Sequence, residues 1–525
     1  MIVSLLLAMM LAPVANYPMA DAAMQGDMLQ MRRLLADNVD VNQAQGDGST
    51  ALHWASYRDD SEMTRVLLEA GAGVGATTRN GRFTPLLMAA RNGSASIIEL
   101  LLNNGADLAT PNNAGTTALM LAAAAGKPDA VTVLLEHGAD LNAKDTINGQ
   151  NAVMFAAAVN AGSVIELLAE HDADFNALST ILLPRNRNDK VFGSDRLGRQ
   201  SEGPWIGGLT ALHFAAREGQ ADAIRALVAV GADINALAAT DQTPPMTTAI
   251  INGYFDIAKF LLDNGADPNL ANTGGLAPLF ATIDQGWAAR TWYPGASSEQ
   301  ETVSYLELMK ALLEKGADPN ARMGPKLWFR TFHGDWVDPD GATPFWRAAQ
   351  SNDLAGMRLL VSAGADPGIP TLHGCSPLQV AAGYGYQPQT SNFAPDARLA
   401  TLRYLVEELS ANVNSKDDKG YTPLHGAALM NDFELIDFLV GNGANVKARA
   451  SMIHGRNDDT DRDVGDGEGD SVADFANGPR EWNLQYPEIV DRLLDMGSSF
   501  ADDCKAAQCV QKTRPERDPG GNHRD

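Results

Sequence analysis

Apolar residues in this chain come as two short stripes followed by a polar break, and the arrangement recurs along most of its length. In the stretch TALHFAAREGQADAIRALVAVGADINA, residues 210–236, Leu212, Ala215 and Ala216 mark one face of a short helix. Thr210 is placed to N-cap it and Gly219 to end it in a left-handed turn. Ile224, Leu227 and Val228, at i, i+3 and i+4, mark a second helix, which Gly231 closes before the polar connection Ala232-Asp233-Ile234-Asn235. Two helices this short do not hold in water by themselves. Their alanines permit close approach, so the pattern predicts a stack in which each helix pair buries its faces against its neighbours.

Relatives of this stretch open at Thr50 (TALHWA), Thr84 (TPLLMA), Thr117 (TALMLA), Asn151 (NAVMFA), Thr243 (TPPMTT), Ala277 (APLFAT), Thr343 (TPFWRA), Ser376 (SPLQVA), Thr422 (TPLHGA) and Ser471 (SVADFA). A more polar copy over residues 16–42 suits the exposed end of a stack. The pattern T-x-L-H-x-A-A-x-x-G, then a helix, then G-A-D-x-N, resembles the ankyrin repeat, and so does its period of about 33 residues. That resemblance covers residues 20–500 and implies a mainly α fold, an ankyrin-repeat solenoid of about twelve helix-turn-helix units joined by β-hairpins, with long insertions. It implies a structural role for His53, His213 and His425, which stand at the motif's histidine and tie hairpin to helix start by hydrogen bonds. It also implies a concave binding face. Carried over by motif position, Tyr57 and Arg58, Arg91 and Asn92, Arg217 and Glu218, Asp284 and Gln285, Gln350 and Ser351, and Leu429 and Met430 fall on that face. The function implied is a non-catalytic scaffold for another protein, with no cofactor, and the fold alone does not name the partner.

The period fails at residues 178–208, 287–301, 322–342, 384–395 and 450–470. Segments 178–208, 322–342 and 450–470 fall between units and lengthen hairpin fingers, whereas 287–301 and 384–395 fall between the two helices of one unit. Inserts of this length in a compact array are either functional or disordered. Trp205, Trp287, Trp292, Trp328, Trp336 and Trp346 all lie in this part of the chain, and one finger holds Trp328, Phe329, Phe332 and Trp336 within nine positions. Three readings fit those rings. They form a satellite core around Trp346, or they anchor a protein partner, or they line a small-molecule pocket.

Composition narrows the partner. A net charge of −25 argues against nucleic acid and anionic membranes as main partners, both of which need a cationic surface. The run at 458–470 sets Asp459, Asp461, Asp463 and Asp470 at spacings that imitate a calcium loop. Val464 stands where that loop wants glycine, and Asp470 where it wants a bidentate glutamate. A solvated acidic loop is the plainer reading, and a calcium-dependent or small-ligand module the alternative function. His333 with Asp335, Asp338 and Asp340 has no periodicity that would gather it into a site.

There are three cysteines: Cys375 beside a unit start, and Cys504 and Cys509 in the tail 501–525, which can close a small disulfide loop in an oxidising compartment. Gly126-Lys127 is followed by Pro128, so it is no phosphate loop. Residues 1–15, MIVSLLLAMMLAPVA, have the length and small-residue end of an export signal, which points to a periplasmic protein, or a cytoplasmic one if the segment is no signal. No later apolar run approaches the roughly 20 residues of a membrane helix, so no membrane insertion is expected once the signal is removed. Oligomeric state is not set by these features.

Overall fold

The computed structural model describes residues 17–182, 207–287, 301–324, 337, 339–385, 394, 397–430, 432–453, 462–463, 467–476 and 487–500. They belong to two compact units, one of residues 1–189 with 205–249 and one of residues 190–204 with 250–525. The first unit stacks the helix pairs Pro18–Gln25 and Met28–Ala36, Ala51–Tyr57 and Ser61–Glu69, Pro85–Asn92 and Ala95–Asn103, Ala118–Ala125 and Pro128–Glu136, Ala152–Ala158 and Gly162–Glu170, and Ala211–Glu218 and Ala221–Ala229. Helix Pro245–Ile251 spans the boundary, and Phe255–Asp263 opens the second unit. There the pairs are Pro278–Gly286 and Tyr305–Glu314, Pro344–Gln350 and Leu354–Ser362, Pro377–Ala381 and Arg398–Arg403, Pro423–Ala428 and Phe433–Gly441, and Val472–Ala476 and Pro487–Asp495. Within each unit the fold is mainly α, a repeat solenoid in which first helices pack on first helices and second on second.

The helix faces follow the apolar stripes. Leu212, Ala215 and Ala216 are buried, as are Ile224 and Leu227, and Gly219 ends its helix in the left-handed region at φ 74°. Several connections are tight hairpin turns closed by a few backbone bonds, such as Gln45 N–H to the Ser49 carbonyl and Gly48 N–H to the Gln45 carbonyl, both at 2.8 Å. Among the described residues only Met452–Ile453 and Arg462–Asp463 pair long enough to form strands, antiparallel.

Two polar devices hold successive repeats in register. His53 Nδ1 accepts from Thr50 N–H at 3.1 Å, which puts the ring proton on Nε2, and Nε2 donates to the Phe83 carbonyl of the next repeat at 3.0 Å. His213 makes the same pair of bonds to Thr210 (3.3 Å) and the Thr243 carbonyl (2.9 Å). In the second unit His425 keeps the histidine, its Nδ1 accepting from Thr422 N–H at 3.1 Å, while other repeats carry other letters there. Gln379 accepts from Ser376 N–H at 2.7 Å and donates to the Tyr421 carbonyl at 2.9 Å. Trp346, fully buried, keeps the outer bond alone, its indole donating to the Cys375 carbonyl at 3.1 Å. Trp346 is thus a tether inside the helix stack. The second device is the asparagine of G-A-D-x-N. Asn320, for example, donates to the Gly364 carbonyl at 3.1 Å and accepts from Asp366 N–H at 2.8 Å, so it clips one inter-repeat turn to the next.

One register differs from the pattern in the sequence. The unit assigned to open at Thr243 opens at Pro244, because Thr243 does what Phe83 does before Thr84: its carbonyl receives the histidine and its hydroxyl bonds Asp241 at 2.6 Å. The helix starts at Pro245, and the tandem prolines that supply its first turn also disguise the shift.

Among the described residues ten hairpins end in a left-handed residue two places before the N-cap position. Gly48, Gly115, Gly149, Gly208, Gly275, Gly341, Gly374 and Gly420 fill it with φ between 62° and 88°. Arg82 (φ 54°) and Gln242 (φ 59°) fill it without glycine. An L-residue there costs about 1 kcal/mol relative to a relaxed backbone.

Candidate protein-binding face

Among the described residues the first unit leaves one continuous apolar row half-exposed. Trp54, Met88, Leu121 and Phe155 stand at the same position of four successive first helices and are half-exposed, while the residues that follow them, Ala55, Ala89, Ala122 and Ala156, are fully buried. The four helices pack in sequence, so the side chains form a single strip. Trp54 is held in place. Its indole N–H donates to Gln45 Oε1 at 2.8 Å, and Gln45 in turn donates to Asp21 at 2.7 Å. At the helix ends Tyr57 is 49% exposed and meets the Trp54 ring edge-on, with centroids 6.0 Å apart. The Arg58 guanidinium donates to the Met24 carbonyl at 3.2 Å. Arg91 is exposed beside Asn92, whose amide donates to the Tyr57 carbonyl.

The strip closes at the sixth pair. Phe214 is buried, Arg217 lies over its ring at 5.0 Å, and Arg217 is ion-paired to Glu218 at 2.9 Å. These two candidates are exposed but satisfied by each other. Half-buried aromatic and apolar side chains edged by arginine are what the centre of a protein interface is made of.

In the second unit the corresponding positions are occupied from within the chain, which corrects the placement of Asp284, Gln285 and Ser351 on an open face. All three are buried. Ala394 N–H donates to the Ser351 carbonyl at 3.0 Å, and Val337 packs so closely on Gly385 that a Cβ there would lie 2.6 Å from its Cγ2. Arg347 Nε meets Asp284 Oδ1 at 2.8 Å, with side-chain exposures of 7% and 3%. Gln350, Leu429 and Met430 remain half-exposed.

Trp287, a candidate partner contact, is half-exposed and also bound within its own unit. Its indole donates to Asp353 Oδ2 at 3.0 Å and its ring meets Tyr305 edge-on at 6.2 Å. Burial, together with the Asp353 charge and hydrogen bond, pushes the Tyr305 phenol well above its ordinary range, while Asp353 Oδ1 caps the next helix through Gly356 N–H at 2.9 Å.

Trp292, Trp328, Phe329, Phe332, Trp336, Asp459, Asp461, Cys504 and Cys509 lie outside the described residues, as do residues 1–15. Of the calcium set, Asp463 sits in the second strand, and Asp470 is buried with its carbonyl accepting from Ala450 N–H at 2.9 Å. Among the described residues no three His, Cys, Asp or Glu side chains are grouped to hold a metal ion, and no helix is long and apolar enough to cross a membrane. Cys375 is buried, which raises its thiol pKa. A cavity of about 720 Å³ opens in the first unit beside Val159, Glu166 and Arg225. Its polar wall is a structural joint: Asn160 Oδ1 accepts from Asp222 and Ala223 N–H at 2.8 and 2.9 Å.

Sequence comparison agrees with this architecture. The family model described as ankyrin repeats (3 copies) matches residues 19–112, 108–179, 186–272 and 345–450, and the chain belongs to the ankyrin-repeat family, whose repeats form protein-binding scaffolds. Among curated proteins it is similar to the E3 ubiquitin-protein ligase KEG of Arabidopsis thaliana, 25% identical over 57% of this chain and 17% of that one. It is also similar to the human transient receptor potential cation channel subfamily A member 1, 26% identical over 45% of this chain and 18% of the channel. A shorter match, 42% identical over 14% of this chain, covers 46% of mouse protein phosphatase 1 regulatory subunit 27. The aligned region thus spans less than a fifth of the first two relatives and about half of the third.

Proposed function

We propose that this protein is a non-catalytic scaffold whose partner protein lies along the first unit, on the strip of Trp54, Met88, Leu121 and Phe155. One observation carries the reading: four equivalent side chains in four consecutive repeats remain half-exposed, where the equivalent face of the second unit is covered by its own chain. Burying one such aromatic ring removes roughly 150–250 Å² from water, enough for an interface anchor. Panning a random peptide display library on the immobilised full chain tests it. Recovered peptides bind at least tenfold more weakly to Leu121→Gln and to Phe155→Gln, with helical circular dichroism unchanged, as expected of hot-spot truncation. Peptides indifferent to both substitutions would remove the strip from the binding site.

The aromatic finger, with Trp328, Phe329, Phe332 and Trp336, and with Trp292 in the neighbouring insert, is the second contact we propose, on its composition alone. We further propose export to the periplasm, which the apolar run of residues 1–15 supports. Mass spectrometry of the native protein checks this directly: a mature chain lacking those residues is expected, and an intact Met1 rules out cleavage.

A further inference from the structure

We propose that the hairpin tip at Arg82, with Arg79 in the same turn and Arg91 at the end of the following helix, recognises an Asp- and Glu-rich segment of the partner protein; this rests on the scaffold reading and adds the chemistry of what is bound. The first observation is conformational. Arg82 occupies the left-handed tip position that glycine takes in most repeats, so its side chain is retained against backbone strain. That strain serves no internal contact: Arg82 is exposed, and no hydrogen bond or ion pair engages its guanidinium among the described residues. The mount is nevertheless rigid. Thr78 N–H donates to the Phe83 carbonyl at 2.9 Å, Phe83 N–H to Thr78 Oγ1 at 2.9 Å, and Asn113 N–H of the next finger docks on the Gly81 carbonyl at 2.9 Å. A fixed backbone carrying a free guanidinium is pre-organised to bind.

Charge selects the ligand. On a chain of net charge −25, this corner presents cations: Arg79 and Arg82 at the tip, Arg91 across the eight-residue helix Pro85–Asn92, and Arg58 one repeat earlier. The helix rises about 12 Å, so an extended peptide of about four residues reaches from tip to helix end. The carboxylates nearby are committed to their own backbone. Asp47 accepts from Ser49 N–H and hydroxyl at 2.9 Å each, and Asp60 from Met63 N–H at 2.9 Å. Asp59, exposed next to Arg58, opposes the cations. Guanidinium forks match carboxylates in pairs of charge-assisted bonds.

Fluorescence anisotropy with the full chain tests this, using the labelled peptide Glu-Glu-Leu-Glu-Glu-Leu-Glu-Glu-Leu-Glu, the same peptide with Gln for Glu, and a ten-nucleotide single-stranded DNA as a non-peptide polyanion. The Glu peptide is expected to bind more weakly as salt rises, and at least tenfold more tightly than the Gln peptide or the DNA. Arg82→Gly and Arg91→Ala each weaken it by about threefold or more, in the range of exposed ion pairs. Arg82→Gly keeps or raises the melting temperature, so the loss is not unfolding, and Gln242→Gly raises stability in the same way without changing binding. Equal binding of Gln and Glu peptides, DNA bound as well as the Glu peptide, no binding of the Glu peptide, or an unchanged affinity in Arg82→Gly overturns the proposal. If panning recovers neutral or basic peptides that need Leu121, the scaffold stands and only the acidic partner falls.

Discussion

Replacing Arg347 by alanine lowers the stability of the second unit by roughly 3–5 kcal/mol, because it removes the guanidinium that faces the buried Asp284 carboxylate. The pair is 2.8 Å apart with both side chains almost wholly covered, and Arg347 also donates to the Ser351 hydroxyl. Surface ion pairs of the same chain, such as Arg225 with Asp222 at about two-thirds exposure, stay within water's screening and contribute little. The asymmetry of burial makes a second expectation. Changing both partners together, Asp284→Leu with Arg347→Met, recovers most of the loss, since an apolar pair of similar volume has no charge to desolvate. Urea denaturation of the full chain measures both effects. Hydrogen exchange then locates them: helices Pro278–Gly286 and Pro344–Gln350 lose protection while Ala51–Tyr57 keeps it. A loss under about 1 kcal/mol in the single variant shows that water reaches the pair.

That pair also marks where sequence reading reaches its limit. The stripe of Leu212, Ala215 and Ala216 is readable because helical period and burial coincide, and the role of His53 because it stands at the histidine of the ankyrin motif. Asp284 carries no such mark, since its burial follows from tertiary packing and not from the period of its own helix. Gln379 and Trp346 conserve a bond to a carbonyl and not a letter, so a motif that asks for histidine passes over them. Arg82 hides its left-handed backbone for the converse reason: glycine announces that conformation and arginine does not. Motif position marks the helix-end residues Tyr57, Arg58 and Arg91 as candidates, and the structure leaves them exposed. The strip beside them was missed. Trp54, Met88, Leu121 and Phe155 sit in the same apolar run as the buried alanines, and only the packing shows which of those residues stay half in water.

Acidification from pH 7 to pH 4 removes roughly 3 kcal/mol of stability through His213, and His213→Gln abolishes that part of the loss. Burial lowers the His213 pKa from 6.5 to about 4, against the smaller opposing pull of the Thr243 carbonyl and Asp241. Above pH 6.5 the imidazole is neutral in both folded and unfolded chains, and its contribution is complete. Between 6.5 and 4 the unfolded chain takes up a proton that the folded chain refuses, so stability falls by about 1.4 kcal/mol per pH unit. Below about pH 4 the folded chain protonates too and the loss levels off. His53, whose pKa burial also lowers, adds a loss of the same sign. Glutamine is the informative replacement because Gln379 already shows a carboxamide making both bonds of the tether, with no proton to gain in this range. At pH 7 the variant is expected within about 1 kcal/mol of the parent. Urea titrations at intervals between pH 7 and 4 give the difference in slope, in which carboxylates common to both chains cancel. Parallel slopes would mean that the tether loosens enough for the imidazole to titrate in place, and the repeat stack would then tolerate a charge at the joint that its burial forbids.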